Sequence, residues 1–436
     1  MLARIFTGRT GIAPLITLRI VFGVLMCASL LRFTLKGWIT ELYVKPGFHF
    51  PYWGFEWVKP FAGTGMHAVF ALMIGCTVLI ALGALYRVAT VLFFLLFTYV
   101  ELIDVTTYLN HYYFISLVAL LLCFVPAHRA FSLDVRFGRV RPVVEVPSAW
   151  LRMVQLQMAL VYFFAGIAKI NGDWLLEAMP LRIWLHARSD LPVIGGLLQR
   201  SGVAFAASWA AMLFDTLIAF FLFPRRTAVA AYAVVVVFHA LTALLFPGIG
   251  MFPFIMMAMA LVFVPVPVHE RLWTQLGWNK ERPSAAALGI PAAARAALIA
   301  WFAVQFLVPF RYLLYPGRLF YNEEGYRFSW RVMLMEKAGA VFFTVKDPAT
   351  GRTIPVDDAR YLTELQRKQM CTQPDLILRF AHHLRDEFRD RIPDAEVHAE
   401  AYVSVNGHGS RPFIDPAVDL AREHDGFAEK KWVYDE

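Results

Sequence analysis

Nine apolar runs are the feature that most limits what this chain can fold into. A helix rises about 1.5 Å per residue, so about 20 apolar residues cross the hydrocarbon core of a bilayer. The runs approach or reach that length, and they are residues 11–31, 68–85, 88–102, 114–125, 153–167, 203–223, 228–246, 252–264 and 292–310. Hydrophobic residues make up 58% of the 436-residue chain, well above a soluble domain. We therefore predict an α-helical polytopic membrane protein with about eight or nine transmembrane helices, the first of them a retained anchor.

Basic residues between the runs predict an orientation. If the N-terminus is cytoplasmic, alternate loops share an excess of arginine and lysine, which is typical of cytoplasmic loops. These residues are Arg4, Arg9, Arg87, Arg129, Arg136, Arg139, Arg141, Arg225, Arg226, Arg271, Lys280 and Arg282. Nine crossings then place the C-terminal segment outside the cytoplasm. These loop residues contribute to the net charge of +8. The sequence has no basic patch interleaved with aromatic residues, so we predict no nucleic-acid partner.

The composition changes abruptly near residue 310, which predicts two domains. We assign residues 1–313 to the membrane domain and residues 314–436 to a small extracytoplasmic α+β domain. Alternating apolar residues in 341–345 and 353–356, with a turn at 347–351, predict a hairpin. Residues 375–389 have helical periodicity and 397–405 alternate again. The aromatic segment 47–60, bounded by proline, is predicted to lie near the lipid headgroups.

Lys169 is the first candidate for chemistry, because an ionisable residue within or beside a membrane segment needs a partner or a cavity. It directly follows the apolar run that ends at residue 167. In one interpretation it is a lysine at a helix end that extends its amine to the interface. In the other, burial favours the uncharged amine, which can then accept a proton as a base.

Three further polar residues lie in apolar surroundings. His111 begins one apolar helix, His239 lies inside another, and Asp215 lies deep in a third and needs a cationic or donating partner. A histidine in such a place is often only a structural hydrogen-bonding residue. Together with Lys169, however, the two histidines favour a functional interpretation.

The glycine-rich break at 248–250 is followed by Met251 and Phe252. Such a break is often only a tight turn. A polarisable, aromatic wall is also what a flat quinone ring requires. The sequence contains no phosphate-binding loop, dinucleotide fingerprint, HExxH or CxxC motif, so we predict no metal ligands.

Ordered motifs along nearly the whole chain resemble the bacterial branch of the vitamin K-dependent gamma-glutamyl carboxylase family, whose membrane part is of the HTTM type. The clearest are TTYLNHYY at 106–113, YFFAGIAKINGDW at 162–174, and FH at 238–239 leading to GIGMF at 248–252. In the polar domain they are GYRFSW at 325–330, VSVN at 403–406 and FIDP at 413–416.

The resemblance implies an enzyme in which Lys169 is the initiating base. It would deprotonate reduced vitamin K, a naphthohydroquinone, after which oxygen addition yields a strongly basic alkoxide. That base would remove a γ-proton from peptidyl glutamate, carbon dioxide would add, and the quinone would leave as its 2,3-epoxide. His111 and His239 would orient or stabilise the ring oxygens. Residues expected to contact the cofactor are Asn110, Asp215, Met251 and Phe252.

The implied setting is the bacterial inner membrane, with a menaquinol-type naphthohydroquinone, O2 and CO2 as co-substrates. The implied partners are the lipid bilayer and an exported peptide or protein that contains glutamate. Two alternatives stay open: a quinol epoxidase without peptide carboxylation, and a non-enzymatic quinone-binding, lipid-binding or transport module. No inverted repeat that would favour a transporter is visible in the sequence.

Overall fold

Helices account for most of the chain in the computed structural model, which describes residues 8–278 and 290–434. The predicted basic residues Arg4, Lys280 and Arg282 lie outside the described residues. The helices of the first part are α1 Ala13–Leu35, α2 Gly65–Leu82, α3 Tyr86–Ile103, α4 Asn110–Phe124, α5 Leu133–Arg136, α6 Ser148–Ala168, α7 Gly172–Leu176, α8 Leu181–His186, α9 Gly195–Leu198, α10 Ser201–Leu222, α11 Ala228–Leu245, α12 Phe252–Ala260, α13 Val266–Gln275 and α14 Ala292–Leu307. Those of the second are α15 Leu319–Asn322, α16 Glu364–Met370 and α17 Pro374–Phe388.

Seven helical segments within the described ranges are long and apolar enough to cross a membrane. They are α1, α2, α3, α6, α10, α11 and the segment Ala292–Leu314, which continues α14. An eighth crossing forms if Phe252–Phe263 and Val266–Gln275, bent by 102°, count as one span, and α4 is a shorter apolar helix. The prediction of a polytopic helical membrane protein is confirmed.

Several of the basic loops meet at one end of this helix bundle. The short strands β1 Arg9–Gly11 and β2 Glu145–Pro147 pair in antiparallel fashion. The Asp134 carboxylate accepts hydrogen bonds from the backbone N–H groups of Leu85 and Tyr86. These contacts bring the N-terminal segment and the loops after α2 and α4 together, in agreement with the expected alternation. Which face of the membrane this end occupies stays a prediction.

The C-terminal part is a four-stranded antiparallel sheet with helices packed on it. Its strands are β3 Lys337–Lys346, β4 Thr353–Pro355, β5 Glu396–Val405 and β6 Arg411–Pro412, in the order β4-β3-β5-β6. Side chains of β5 alternate between buried and more exposed, and α17 packs on the buried face. The predicted hairpin, helix and strand are therefore present, and an α+β domain is confirmed.

The aromatic segment at 47–60 differs from the expectation of a purely interfacial position. Phe50 is fully buried in the core of the C-terminal domain, and the Phe48 ring stacks on His383 with 4.3 Å between centroids. Trp53 and Trp57 remain exposed. The segment therefore joins the membrane domain to the C-terminal domain, because burying its inner rings on the sheet-and-helix core removes apolar surface from water.

Candidate active site

Helix α6 places a row of functional side chains on one face. Tyr162, Ala165 and Lys169 are spaced by three and four residues, so a helix directs them to the same side. Lys169 directly follows the last residue of α6, and only 4% of its surface is exposed. The end of an apolar helix thus carries a buried amine.

Three oxygen atoms surround the Lys169 amine. Its Nζ lies 2.9 Å from Oδ2 of Asp215 on α10, 3.1 Å from the Ala165 carbonyl and 3.3 Å from the Val332 carbonyl. An ammonium group has three N–H donors, so these partners match its capacity. The Trp174 ring lies 5.2 Å from Nζ. The cationic partner that Asp215 requires is therefore Lys169.

Gly166 is the reason that the two helices come close enough for this ion pair. A side chain at this position would collide with the backbone and hydroxyl of Thr216, the residue after Asp215. Since glycine has no Cβ, α6 and α10 approach each other at the level where Lys169 and Asp215 face one another.

His239 on α11 forms the second polar group of the site. Its Nε2 lies 2.9 Å from the Tyr162 hydroxyl, whereas its buried Nδ1 has no hydrogen-bond partner among the described residues. The rings of Phe214 and Phe238 stack beside it at a centroid distance of 3.8 Å. Because buried polar atoms are normally paired, this unpaired Nδ1 is available to a further hydrogen-bond partner.

A narrow pocket of about 70 Å³ connects the lysine pair to the histidine. Its lining is mainly aromatic and aliphatic, with polar groups at few positions. It comprises Val161, Tyr162, Ala165, Lys169, Trp174, Leu181, Trp184, Ala211, Asp215, Phe238, His239, Thr242, Phe246, Phe252, Met256, Val332 and Met333. Apolar walls with convergent polar groups are suited to a flat, lipid-soluble ring whose oxygens need orientation. The chemistry of this lining suits a naphthoquinol head group, but a volume of about 70 Å³ is smaller than that ring system, so the wall has to open to admit it.

The predicted site residues are only partly brought together. Lys169, Asp215, His239 and Phe252 line the same pocket. The ring of Phe252 contacts both histidines, with centroids 5.7 Å from His239 and 5.9 Å from His111. Phe252 thus joins His111 to the site, although His111 itself does not line the pocket.

Asn110 and Met251 also lie beside the pocket and do not line it. The Asn110 amide donates to the Arg331 carbonyl at 3.2 Å. The methionines of the pocket wall are Met256, five residues after Met251, and Met333. Their predicted contact with a cofactor stays a prediction.

Sequence reasoning assigned no role to several pocket residues. Tyr162 precedes Lys169 by seven residues and Thr242 follows His239 by three, so helical spacing from the assigned residues would have found both. Val332 has no such signal, because it comes from a non-helical segment more than 160 positions away in the sequence.

Comparison with known proteins agrees with this architecture. The family model of the HTTM domain matches residues 9–267, and that of the vitamin K-dependent gamma-carboxylase lumenal domain matches residues 291–436. No solved structure matches the chain significantly. The two matches follow one another in the order of the membrane and C-terminal domains and cover nearly all of the sequence. The chain therefore belongs to the vitamin K-dependent gamma-carboxylase family.

Proposed function

We propose that this protein couples oxygenation of a reduced naphthoquinone to its 2,3-epoxide with γ-carboxylation of peptidyl glutamate. The observation that carries the proposal is the buried Lys169–Asp215 pair, at 2.9 Å, in an apolar pocket that also holds His239. A bound naphthohydroquinone supplies, with O2, the strong base that removes the glutamyl γ-proton before CO2 adds.

Lys169 is assigned the role of the group that receives the first proton. An amine accepts a proton only in its uncharged form. Transfer of the ammonium proton to the Asp215 carboxylate, 2.9 Å away, produces that form without placing a net charge in the pocket. Asp215 is accordingly the positioning partner and proton acceptor of Lys169.

His239 is assigned the role of orienting a ring oxygen. Its contact with the Tyr162 hydroxyl fixes the orientation of the imidazole, and its unpaired Nδ1 is available to a ligand. The walls formed by Trp174, Phe238 and Phe252 exclude water, which would otherwise protonate a strong base. We assign His111 to support of the Phe252 wall.

The proposed setting is the bacterial inner membrane, with the N-terminus cytoplasmic and the C-terminal domain extracytoplasmic. A menaquinol-type ring enters through the bilayer, and an exported glutamate-containing peptide arrives from the C-terminal domain side. The apolar pocket lining supports the first part, and the position of the C-terminal domain beside Lys169 supports the second.

The experiment mixes anaerobically prepared naphthohydroquinone with the full-length protein in lipid nanodiscs, then adds O2, labelled bicarbonate and a glutamate-containing peptide. Epoxide and acid-stable peptide label are measured together. We expect both products from the wild type and neither from Lys169→Ala, with Lys59→Ala as an exposed-lysine control that keeps both.

Each other outcome is informative. Epoxide without peptide label would identify a quinol epoxidase. Neither product, with verified folding and quinone binding, would identify a non-enzymatic module. Wild-type turnover by Lys169→Ala would remove the lysine from the mechanism.

A further inference from the structure

A second, larger cavity lies on the opposite side of the α6 terminus, between the membrane domain and the C-terminal domain. Its volume is about 560 Å³. Ala168 and Asn171 contribute to its membrane side, and Ser329, Arg331 and His408 to the side of the C-terminal domain. It is more polar than the narrow pocket and can therefore admit a hydrophilic ligand.

Arg331 is the unusual residue of this cavity. It is only 8% exposed, its guanidinium lies 4.4 Å from the centre of the Tyr312 ring, and its Nε has no hydrogen-bond partner within residues 8–278 and 290–434. Among the residues that the structure describes, no carboxylate oxygen lies within 4.0 Å of it. A buried charge is normally paired with an opposite charge, and the Arg331 guanidinium has Tyr312 beside it and no anionic partner in the described part of the chain.

Neighbouring buried cations show the usual arrangement. Arg327 lies 2.6 Å from Asp375, Lys337 lies 2.8 Å from Glu323, and Lys430 lies 3.2 Å from Glu324. Burial lowers the pKa of Arg331, and Tyr326 together with a hydrogen bond to Tyr312 opposes that shift. Arg331 thus differs from these three neighbouring cations in having no carboxylate partner among the described residues, and it lines the cavity together with the exposed Arg318.

Arg331 also lies next to the reacting centre in the chain. The carbonyl of the following residue, Val332, lies 3.3 Å from Lys169 Nζ, and Val332 and Met333 line the narrow pocket. The segment 331–333 thus faces the larger cavity with its arginine and the narrow pocket with the next two residues.

We propose that Arg331 binds the γ-carboxylate of the glutamyl side chain that enters the larger cavity. This inference rests on the proposed function and names the group that selects its acidic substrate. A planar guanidinium matches a carboxylate in charge and in bidentate geometry, and the Nε–H of Arg331 has no hydrogen-bond partner among the described residues. A glutamine side chain has the same length but lacks the charge, so Arg331 discriminates between the two.

The test uses two blocked peptides that contain no other carboxylate, acetyl-Ala-Ala-Glu-Ala-Ala-amide and its glutamine counterpart. Binding to full-length protein in nanodiscs is measured by saturation-transfer NMR, and KM for the glutamate peptide is measured by label incorporation. We expect Arg331→Gln to weaken glutamate-peptide binding and raise KM by at least about tenfold, which corresponds to loss of one charge-assisted hydrogen bond.

Controls separate this effect from damage to the fold. Arg331→Lys keeps the charge and should retain part of the preference for glutamate. Arg422→Gln removes an exposed arginine of the C-terminal domain that pairs with Asp419, and should change nothing. If Arg331→Gln fails to fold, the wild type still tests the proposal, because it must bind the glutamate peptide at least about tenfold more tightly than the glutamine peptide.

Equal binding of both peptides to the wild type, or an equal loss of both in Arg331→Gln, would overturn the assignment. The proposed function fails separately, when the wild type forms neither epoxide nor labelled peptide. A wild type that carboxylates the peptide, with an Arg331→Gln variant of unchanged KM, would refute the role of Arg331 alone.

Discussion

Gly166 on α6 lies directly against Thr216 on α10, and this contact leaves no room for a side chain. We expect Gly166→Ala to separate the two helices, because the methyl group would meet the Thr216 backbone. The free energy of unfolding should fall by about 1–3 kcal/mol. The rate of epoxide formation should also fall, because Lys169 and Asp215 move apart. Gly202→Ala is the matched control, since a Cβ there meets no atom within 4 Å. Thermal unfolding in detergent and epoxide assays would check both variants, and equal behaviour would contradict the prediction.

Removing both charges of the Lys169–Asp215 pair should restore stability that is lost when only one is removed, but it should not restore activity. Asp215→Asn leaves a buried cation beside a neutral amide, and we expect a loss of about 3–5 kcal/mol. The double variant Lys169→Met with Asp215→Asn removes both charges and should recover most of that stability. Neither variant should form epoxide. Denaturation and product assays on the three proteins would check this, and an active double variant would show that the pair serves only the fold.

The contact between Tyr162 and His239 predicts a modest catalytic loss. Tyr162→Phe removes the hydroxyl 2.9 Å from Nε2, so the imidazole loses the partner that fixes its orientation. A hydrogen bond of this kind is worth about 1 kcal/mol, so epoxide formation should fall by about fivefold. Tyr232→Phe, which alters another partly buried tyrosine, should have no such effect. Initial rates at saturating quinol would check the difference, and equal rates would refute it.

Asp104 predicts a pH dependence of the attachment between the two domains. Its carboxylate accepts hydrogen bonds from Thr106 and, at 2.8 Å, from Gln366 on α16. Burial outweighs these bonds and raises the Asp104 pKa from 3.8 to about 6. The folded state therefore favours the protonated acid, and this stabilisation is complete below about pH 4 and is lost as the pH rises through about 6.

The expected size of this effect is about 2 kcal/mol between pH 4 and pH 7. Asp104→Asn has no titrating group at this position and should show a correspondingly flatter pH profile than the wild type. Limited proteolysis or thermal unfolding across that range would measure the difference. Parallel profiles would show that Asp104 does not titrate in the folded protein.

Local patterns were enough to predict much of the fold. Apolar runs identified the long helices, and alternation at 341–345 and 397–405 identified β3 and β5, because burial on one face imposes a fixed period. The cost of placing charge in apolar surroundings identified Lys169 and Asp215 individually. Their contact could not be read from the sequence, since it depends on the close approach of two helices at Gly166.

The role of the segment 328–333, which connects the two pockets, could not be predicted from the sequence either. Phe328, Trp330 and Met333 all adopt positive φ angles, of 60°, 58° and 48°. Residues other than glycine rarely adopt this backbone conformation, so no propensity rule predicts it. The position predicted for the aromatic segment 47–60 was wrong for a different reason. Aromatic side chains suit a headgroup region and a domain core equally well, and Phe50 lies in the core.

The hydrogen bond from Lys169 to the Val332 carbonyl means that the two domains are not interchangeable modules. A membrane domain expressed alone would have a gap in the wall around its lysine, open to water. A chimera that exchanges C-terminal domains between relatives has to carry the segment 331–333 as part of the membrane half. The contact region between the two domains is therefore as much a part of the active site as either domain by itself.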